Sequence, residues 1–472
     1  MKMEGRFMRI RTIWFSFGVA ALLLAIGCNE VEERLAWSPD GTRAVMRLGD
    51  KLCLVDANGN ISTPLASNVE SAAWLPDSQG LVLLRHLTVT NWEEATRLLP
   101  PEEEATVESL AKGIPDLLRA ALATADGDPE AIEQKFFKPL KMEFSEFISP
   151  AVLCLLDTQP AALRQAFQGC KDPAKLEADF TSLSTTKVAE VSVLLLAGDQ
   201  ASGRPRVIER TLTGLQQPRP SPSAPVVAFL RDDALMVAPL DGGTNRVSVA
   251  NKIEGSYDWT SDGKSLAYAV RLTETDSSDV NLVRIECRIV IDAAGALIAG
   301  DTLPLALSGS GFTPRVRCLP DGRVLFAGFA MQLPAPATAP QETHFFLIDP
   351  AQGTNAVAVT VPSPPGALPQ DLACFAPSPD GHQIAIVESG ADAVAVLDVA
   401  TGALEVVSPK RGWKSRILPA WRDAGELYFG ALPESSSARP ELLRWHKGVA
   451  PQVFSHGWTD EAADTLLGKP GK

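Results

Sequence analysis

The sequence predicts an all-β fold, a ring of four-stranded sheets carrying one helical insertion, and three observations predict it. A unit of strand, tight turn and strand recurs along the chain. Within each copy the apolar residues alternate with a period of two, which is the period of a strand. Between two of the copies the chain switches to apolar residues spaced by three and four, which is the period of a helix. With 35 glycines, 36 prolines and 45% apolar residues in 472, the composition suits a turn-rich folded chain rather than a disordered one.

The copies align without gaps at their first residue: WSPDGTRAVM from Trp37, WLPDSQGLVL from Trp74, PSPSAPVVAF from Pro220, WTSDGKSLAY from Trp259, CLPDGRVLFA from Cys318, PSPDGHQIAI from Pro377 and WRDAGELYFG from Trp421. Asp40, Asp77, Asp262, Asp321 and Asp380 share one column, and Gly41, Gly263, Gly322, Gly381 and Gly425 the next. An Asp-Gly pair marks a tight hairpin. Its carboxylate accepts hydrogen bonds from turn N–H groups, and its glycine takes a positive φ without a Cβ clash. Ala44, Leu81, Val227, Leu266, Leu325, Ile384 and Tyr428 follow in an inward-facing strand column. The aromatic first column is expected to pack between neighbouring sheets rather than to form a ligand cage.

A second pair of strand-like runs follows where it can be traced, as in KLCLVDANGNISTPL (51–65) and DAVAVLDVATGALEVV (392–407). Four strands and about 40 residues per unit define the blade of a β-propeller. The expectation is seven four-stranded blades, with six as the alternative because the copies at Pro220 and Trp421 are degenerate. One blade cannot bury both faces of its sheet, whereas a ring of blades can.

The insertion spans residues 92–186, between the second and third strands of blade two, the third being VAEVSVLLLAG (188–198). ATVESLAKGIPDLLRAALATA, PEAIEQKFFKPLKMEFSEFISPAVLCLLD and QPAALRQAFQGC read as four or five short amphipathic helices. Phe136, Phe137, Phe144, Phe147 and Phe167 are expected to fill that subdomain's own core. The shorter irregular stretches TETDSSD (273–279), QLPAPATAPQ (332–341) and PESSSARP (433–440) fall at the same point of their blades. Strands of a blade alternate in direction, so all four elaborations are expected on one face of the disc, opposite the Asp-Gly turns. The domain reading is therefore a leader at 1–27, a propeller at 28–91 and 187–457, the insertion at 92–186 and a tail at 458–472.

The strand, SPDG, strand signature resembles TolB-like propellers, which are related to WD-repeat propellers, over about 420 residues. The resemblance implies the propeller fold and an interaction role; propellers of this kind often have six blades.

At the N-terminus Lys2, Arg6, Arg9 and Arg11 precede an apolar run from Ile13 to Gly27. At roughly 15 residues the run is short for a spanning helix and suits a signal peptide. Ala25-Ile26-Gly27-Cys28 resembles the bacterial lipobox, with alanine where leucine is usual. That resemblance implies acylation of Cys28, and Asn29 in place of aspartate implies an outer-membrane address facing the periplasm.

The net charge is −14, and loss of the basic leader makes the chain more acidic still. Such a surface repels phosphate backbones, so nucleic acid is excluded as a partner. Cys154 and Cys170 either close a short loop in an oxidising periplasm or stay buried as free thiols. The chain has no CxxC, HExxH, GxSxG, GxxxxGK[ST] or GxGxxG, and its five histidines are scattered. No catalytic, metal or cofactor residue is assigned. The expected function is that of a non-enzymatic, lipid-anchored scaffold offering the insertion face to a protein partner or envelope component. The alternative is an enzyme or ligand-binding sensor using the central channel, which charged side chains converging there would favour.

Overall fold

A computed structural model of the chain describes residues 35–455 apart from 126–145, 169–171, 175–176, 179–188, 199–204, 273–280, 311, 331–342, 365–371, 389–392, 409–412, 416–418 and 434–440. The leader, Cys28, Cys170, Phe136, Phe137, Phe144, the stretches 273–279 and 332–341, all of 433–440 but Pro433, and the tail lie outside the described residues.

Among the described residues, six antiparallel sheets follow one another along the chain. The first joins β1 (Leu35–Trp37), β2 (Arg43–Leu48) and β3 (Lys51–Asp56). The second joins β4 (Val69–Trp74), β5 (Gly80–Val89), β6 (Ala189–Gly198) and β7 (Arg206–Thr211), and the third β8 (Leu215–Pro220), β9 (Val226–Arg231), β10 (Ala234–Pro239) and β11 (Val247–Ala250). An eight-stranded sheet runs from β12 (Ile253–Trp259), β13 (Ser265–Arg271), β14 (Asn281–Ile289) and β15 (Thr302–Ser310) to β16 (Val316–Cys318), β17 (Val324–Ala330), β18 (His344–Ile348) and β19 (Val359–Thr360). The strand ladders of its halves are joined at the pairs Ser308↔Ala330 and Gly309↔Phe329. Next come β20 (Leu372–Pro377), β21 (Gln383–Glu388), β22 (Val394–Asp398) and β23 (Leu404–Val407). The last sheet holds β24 (Trp413–Ser415), β25 (Ala420–Asp423), β26 (Glu426–Pro433), β27 (Glu441–His446) and β28 (Gln452–Ser455), with β24 and β25 both paired to β26.

The first sheet corrects one expectation. The stretch ISTPL does not form a fourth strand; it and Ala66 meet β3 through the isolated bridges Val55↔Ile61 and Leu52↔Ala66 and scattered hydrogen bonds. Pro64 has no N–H to donate, and the Ser62 hydroxyl takes the Leu54 N–H at 2.9 Å, so the ladder cannot run on.

Burial shows how the sheets are arranged. Apolar clusters lie between successive sheets, as where Val227 and Phe229 meet Val82 and Leu194, or Phe345 meets Phe375 and Ile384. The final cluster joins Tyr428 and Leu442 of the last sheet to Leu35, Ala44, Met46 and Val55 of the first. A row of sheets whose last member packs on its first is a closed ring, and the fold is a β-propeller.

The aromatic column is used at these joints. Trp74 Nε1 donates to the Ala36 carbonyl at 2.9 Å, Trp259 Nε1 to that of Arg219 at 2.8 Å and Trp421 Nε1 to that of Ala376 at 2.9 Å, each acceptor lying on the first strand of the preceding sheet. At the closing joint Trp37 packs instead on Tyr428, ring centroids 4.8 Å apart, beneath the Arg422 guanidinium. Arg422 Nε also donates to the Gly41 carbonyl at 2.8 Å. Substituting Trp259 by phenylalanine keeps the ring but strands the Arg219 carbonyl. Urea unfolding is expected to report a loss of about 1–2 kcal/mol.

In the turns each aspartate accepts the N–H two residues on: Thr42 to Asp40, Gln79 to Asp77, Lys264 to Asp262, Arg323 to Asp321 and His382 to Asp380, at 2.9–3.1 Å. Gly41, Gly263, Gly322 and Gly381 have φ between 67° and 90°, and Ser78 takes the equivalent place at 61°. The Ser38 hydroxyl first, then the Thr42 N–H and hydroxyl, hold the Asp40 carboxyl below its ordinary range. The Asn60 and Thr401 bonds do the same for Asp56 and Asp398. A folded-state pKa below the unfolded value of about 3.9 means stability contributed above that pH and lost as pH falls through the folded value. Urea midpoints are expected to stay level from neutrality to mild acid and fall below about pH 4. An Asp40→Asn variant should fall less.

The insertion contributes α1 (Trp92–Leu98), α2 (Pro101–Ala125), α3 (Ile148–Thr158) and α4 (Pro160–Ala166). Asn91 caps α1 by accepting the Glu94 N–H at 2.9 Å. Asp157 of α3 accepts the Trp92 N–H at 2.7 Å. Among the described residues the helices share their core with the second sheet. Phe167, Ile114, Leu118 and Leu155 share one cluster with Leu83, Val89 and Val191 of the second sheet, and Phe147 packs against it. The reading of an independent subdomain core is therefore corrected for Phe147 and Phe167, because the long β5–β6 ladder carries apolar surface out to the helices and they cover it.

Candidate functional site

The strands β1, β4, β8, β12 and β16, with residues adjoining them, line a cavity of about 1080 Å³. Its wall along β1 and β4 is small and mostly uncharged, with Ala36, Ser71, Ala72 and Ala73. Along β8, β12 and β16 it is charged, with Arg219, Asp258, Arg315 and Arg317.

Backbone pairing fixes these groups. Asp258 Oδ1 accepts the Trp259 N–H and Oδ2 the Cys318 N–H, each at 3.0 Å, and Arg219 Nη1 lies 3.9 Å from Oδ1. Arg317, only 6% exposed, donates from Nη1 to Ser256 Oγ at 3.3 Å and to the Val316 carbonyl at 3.1 Å. Gln217 holds a left-handed backbone at φ 50° on the same wall. It is kept there by the Tyr257 hydroxyl bonded to its carbonyl and by its own Nε2 donating to the Gly255 carbonyl at 3.1 Å. A non-glycine held at positive φ is strain maintained by its surroundings. Glu70, the remaining lining acid, is paired with His86.

Cys318 also lines the cavity, and burial, followed by the Asp258 charge, pushes its thiol well above the ordinary range. At neutral pH it stays protonated and is a poor nucleophile. The wall can therefore bind and orient a ligand through charge and hydrogen bonds.

A second constellation ties the insertion to the ring. Glu103 of α2 is 5% exposed, and its carboxylate accepts the Thr211 hydroxyl at 2.5 Å, the Leu212 N–H at 2.8 Å and Arg231 Nη2 at 2.7 Å. Arg210 Nη1 reaches the Arg97 carbonyl at 3.0 Å.

The residues singled out from the sequence are elsewhere. Asp40, Asp77, Asp262, Asp321, Asp380 and their glycines stand at the hairpin turns and are not among the cavity-lining residues. Neighbouring turns are linked laterally, as where Asp40 N donates to Ser78 Oγ at 3.1 Å and Ser223 Oγ to the Asp262 carbonyl at 2.6 Å. Cys154 is a buried free thiol in α3, and burial raises its pKa. Among the described residues no group of three or more His, Cys, Asp or Glu is placed to hold a metal. The charged wall went unread, yet a signal existed. The column just before the first aligned residue reads Ala36, Ala73, Arg219, Asp258, Arg317, Ala376 and Ala420, charged in three consecutive copies and alanine in the others.

No family model matches the chain, and no curated protein matches it. Among solved structures it is similar to puromycin hydrolase, at 16% identity and a TM-score of 0.39, covering 58% of this chain and 44% of that one. It is similar to a putative TolB from Agrobacterium tumefaciens, at 14% identity and a TM-score of 0.35, covering 53% and 84%. A third likeness is the Cps50 (Swd1) β-propeller domain of Myceliophteria thermophila, at 10% identity and a TM-score of 0.43, covering 89% and 98%. The chain thus spans less than half the length of the hydrolase, and all three likenesses are of structure alone.

Proposed function

We propose that the protein is a non-catalytic, ligand-binding propeller of seven blades, anchored in the bacterial cell envelope through lipid on Cys28, whose central channel receives a small molecule. The observation that carries this reading is the cavity itself: open, of a size that admits an organic ligand, and charged on one wall by side chains from three consecutive inner strands. Convergent charge around a rigid concave space is what a sensor of the channel type requires, and binding without turnover agrees with a thiol kept protonated beside a carboxylate already engaged by two N–H groups. Among the described residues of the insertion, Leu117 is the exposed large apolar side chain, so that described part offers little of the apolar area that a protein interface core uses.

The test is thermal. Full-length protein in detergent is melted with and without a small-molecule extract of the envelope, beside an Ala73→Trp variant that fills the channel. The reading expects the extract to raise the midpoint of the parent and to leave the variant unmoved. No shift, or equal shifts, would refute it.

A second reading, a partner-binding scaffold, is favoured by the Glu103 anchor, which holds the insertion in one orientation on the ring. Crosslinking in native membranes tests it: deletion of residues 92–186 should then change the set of captured proteins.

A further inference from the structure

We propose that the wall formed by β8, β12 and β16 is a site for a small organic anion, a carboxylate or a phosphate, whose acid group is taken by Arg315 beside Arg317. This inference rests on the channel reading above and adds the chemistry of the ligand.

The charges on the wall do not cancel. Asp258 is offset by Arg219 at 3.9 Å, and Glu70 by His86. Arg315 remains against no further lining acid. Arg315 immediately precedes β16 and Arg317 lies within it, and both line the cavity.

Arg315 is the odd member. It is half-buried on the cavity wall, its Nε is shielded from solvent without an acceptor, and its guanidinium has no hydrogen bond or ion pair among the described residues. An arginine cannot relieve such burial by losing its proton, so a counter-charge is the remaining compensation. A guanidinium offers parallel N–H donors at the spacing of carboxylate or phosphate oxygens, which makes the bound anion bidentate and oriented. The chain as a whole, at a net −14, repels anions. A cationic wall inside a low-dielectric channel therefore concentrates them there rather than over the surface.

The experiment is calorimetric titration of the full-length protein in detergent, at low ionic strength, with citrate, inorganic pyrophosphate and the neutral polyol sorbitol. Citrate or pyrophosphate is expected to bind and sorbitol not to; whichever anion binds tighter identifies the acid as carboxylate or phosphate. Arg315→Gln removes an unpaired cation, so it should keep or raise the melting midpoint while weakening anion binding about tenfold or more. Arg315→Lys keeps the charge without the fork and should fall between. Failure of both anions to bind the parent, binding of sorbitol as tightly, or equal affinity in the parent and a folded Arg315 variant would overturn the assignment. The two readings separate on the extract-induced midpoint shift. Loss of that shift in Ala73→Trp but not in Arg315→Gln leaves the channel reading standing and removes the anion; persistence in both removes both.

Discussion

Replacing Glu103 by alanine is expected to cost about 3 kcal/mol of stability and to free the helical insertion from the ring. The carboxylate is nearly inaccessible and serves three donors on the far side of the joint, the Thr211 hydroxyl, the Leu212 N–H and the Arg231 guanidinium. Removing it leaves the Leu212 N–H without its acceptor and a guanidinium without its counter-ion, while the Thr211 hydroxyl falls back on Thr213 Oγ1 at 2.9 Å. Stranding partners in this way is far costlier than the net worth of the intact pair. Because Arg231 is itself partly exposed, water recovers some of the loss, which places the estimate at the lower end of the range for buried pairs. Urea unfolding gives the magnitude, and limited proteolysis within residues 92–186 shows whether the insertion has come away. A cycle with Arg231→Met should give a coupling of about 1–3 kcal/mol. A loss under about 1 kcal/mol with unchanged proteolysis would mean that apolar contacts alone hold the insertion.

A larger effect is expected at Gly255, where alanine should cost about 4 kcal/mol or more and cut the yield of folded protein. Gly255 lies in β12 with φ 77°, and an added Cβ would stand 1.7 Å from the Pro314 carbonyl oxygen. The obstacle is backbone, so no rotamer change relieves it. Its own carbonyl accepts Gln217 Nε2 at 3.1 Å, so any displacement of β12 disturbs β8 and β16 together. Gly295 is the control: at φ 85° but with nothing within 4 Å of an added Cβ, its alanine variant carries only the left-handed penalty of about 1–2 kcal/mol. Melting midpoints of the two variants separate conformational strain from collision, and equal effects would remove the packing argument.

What the sequence revealed follows from what is local. The turn residues and the alternation of Ala44, Met46 and their counterparts are set within ten residues of chain. The strand ladder is therefore readable one copy at a time. The insertion was readable for the same reason, since α2, α3 and α4 each bury one stripe. Two local departures were missed because they depend on side chains as much as pattern. Pro64 and Ser62 end the pairing of the first sheet, and Phe147 and Phe167 go to a core shared with β5 and β6.

The site was illegible for a different reason. Arg219, Asp258 and Arg317 come together only because consecutive sheets turn about one axis, which brings residues some forty to sixty positions apart onto a single wall. Glu103 meets Arg231 only once the insertion has docked on the ring. Neither meeting leaves a spacing in the sequence. The column before the aligned tryptophans carried the one trace, charge where the other copies have alanine.

Hydrogen exchange of the full-length protein, with and without the envelope extract, tests most directly the claim that the channel is where this propeller binds. The inner strands present their unpaired edges to the cavity, so a channel ligand should slow exchange in residues 216–220, 256–260 and 315–320 and leave α1 to α4 unchanged. Slowing confined to the helices, with no change on those three strands, would contradict it.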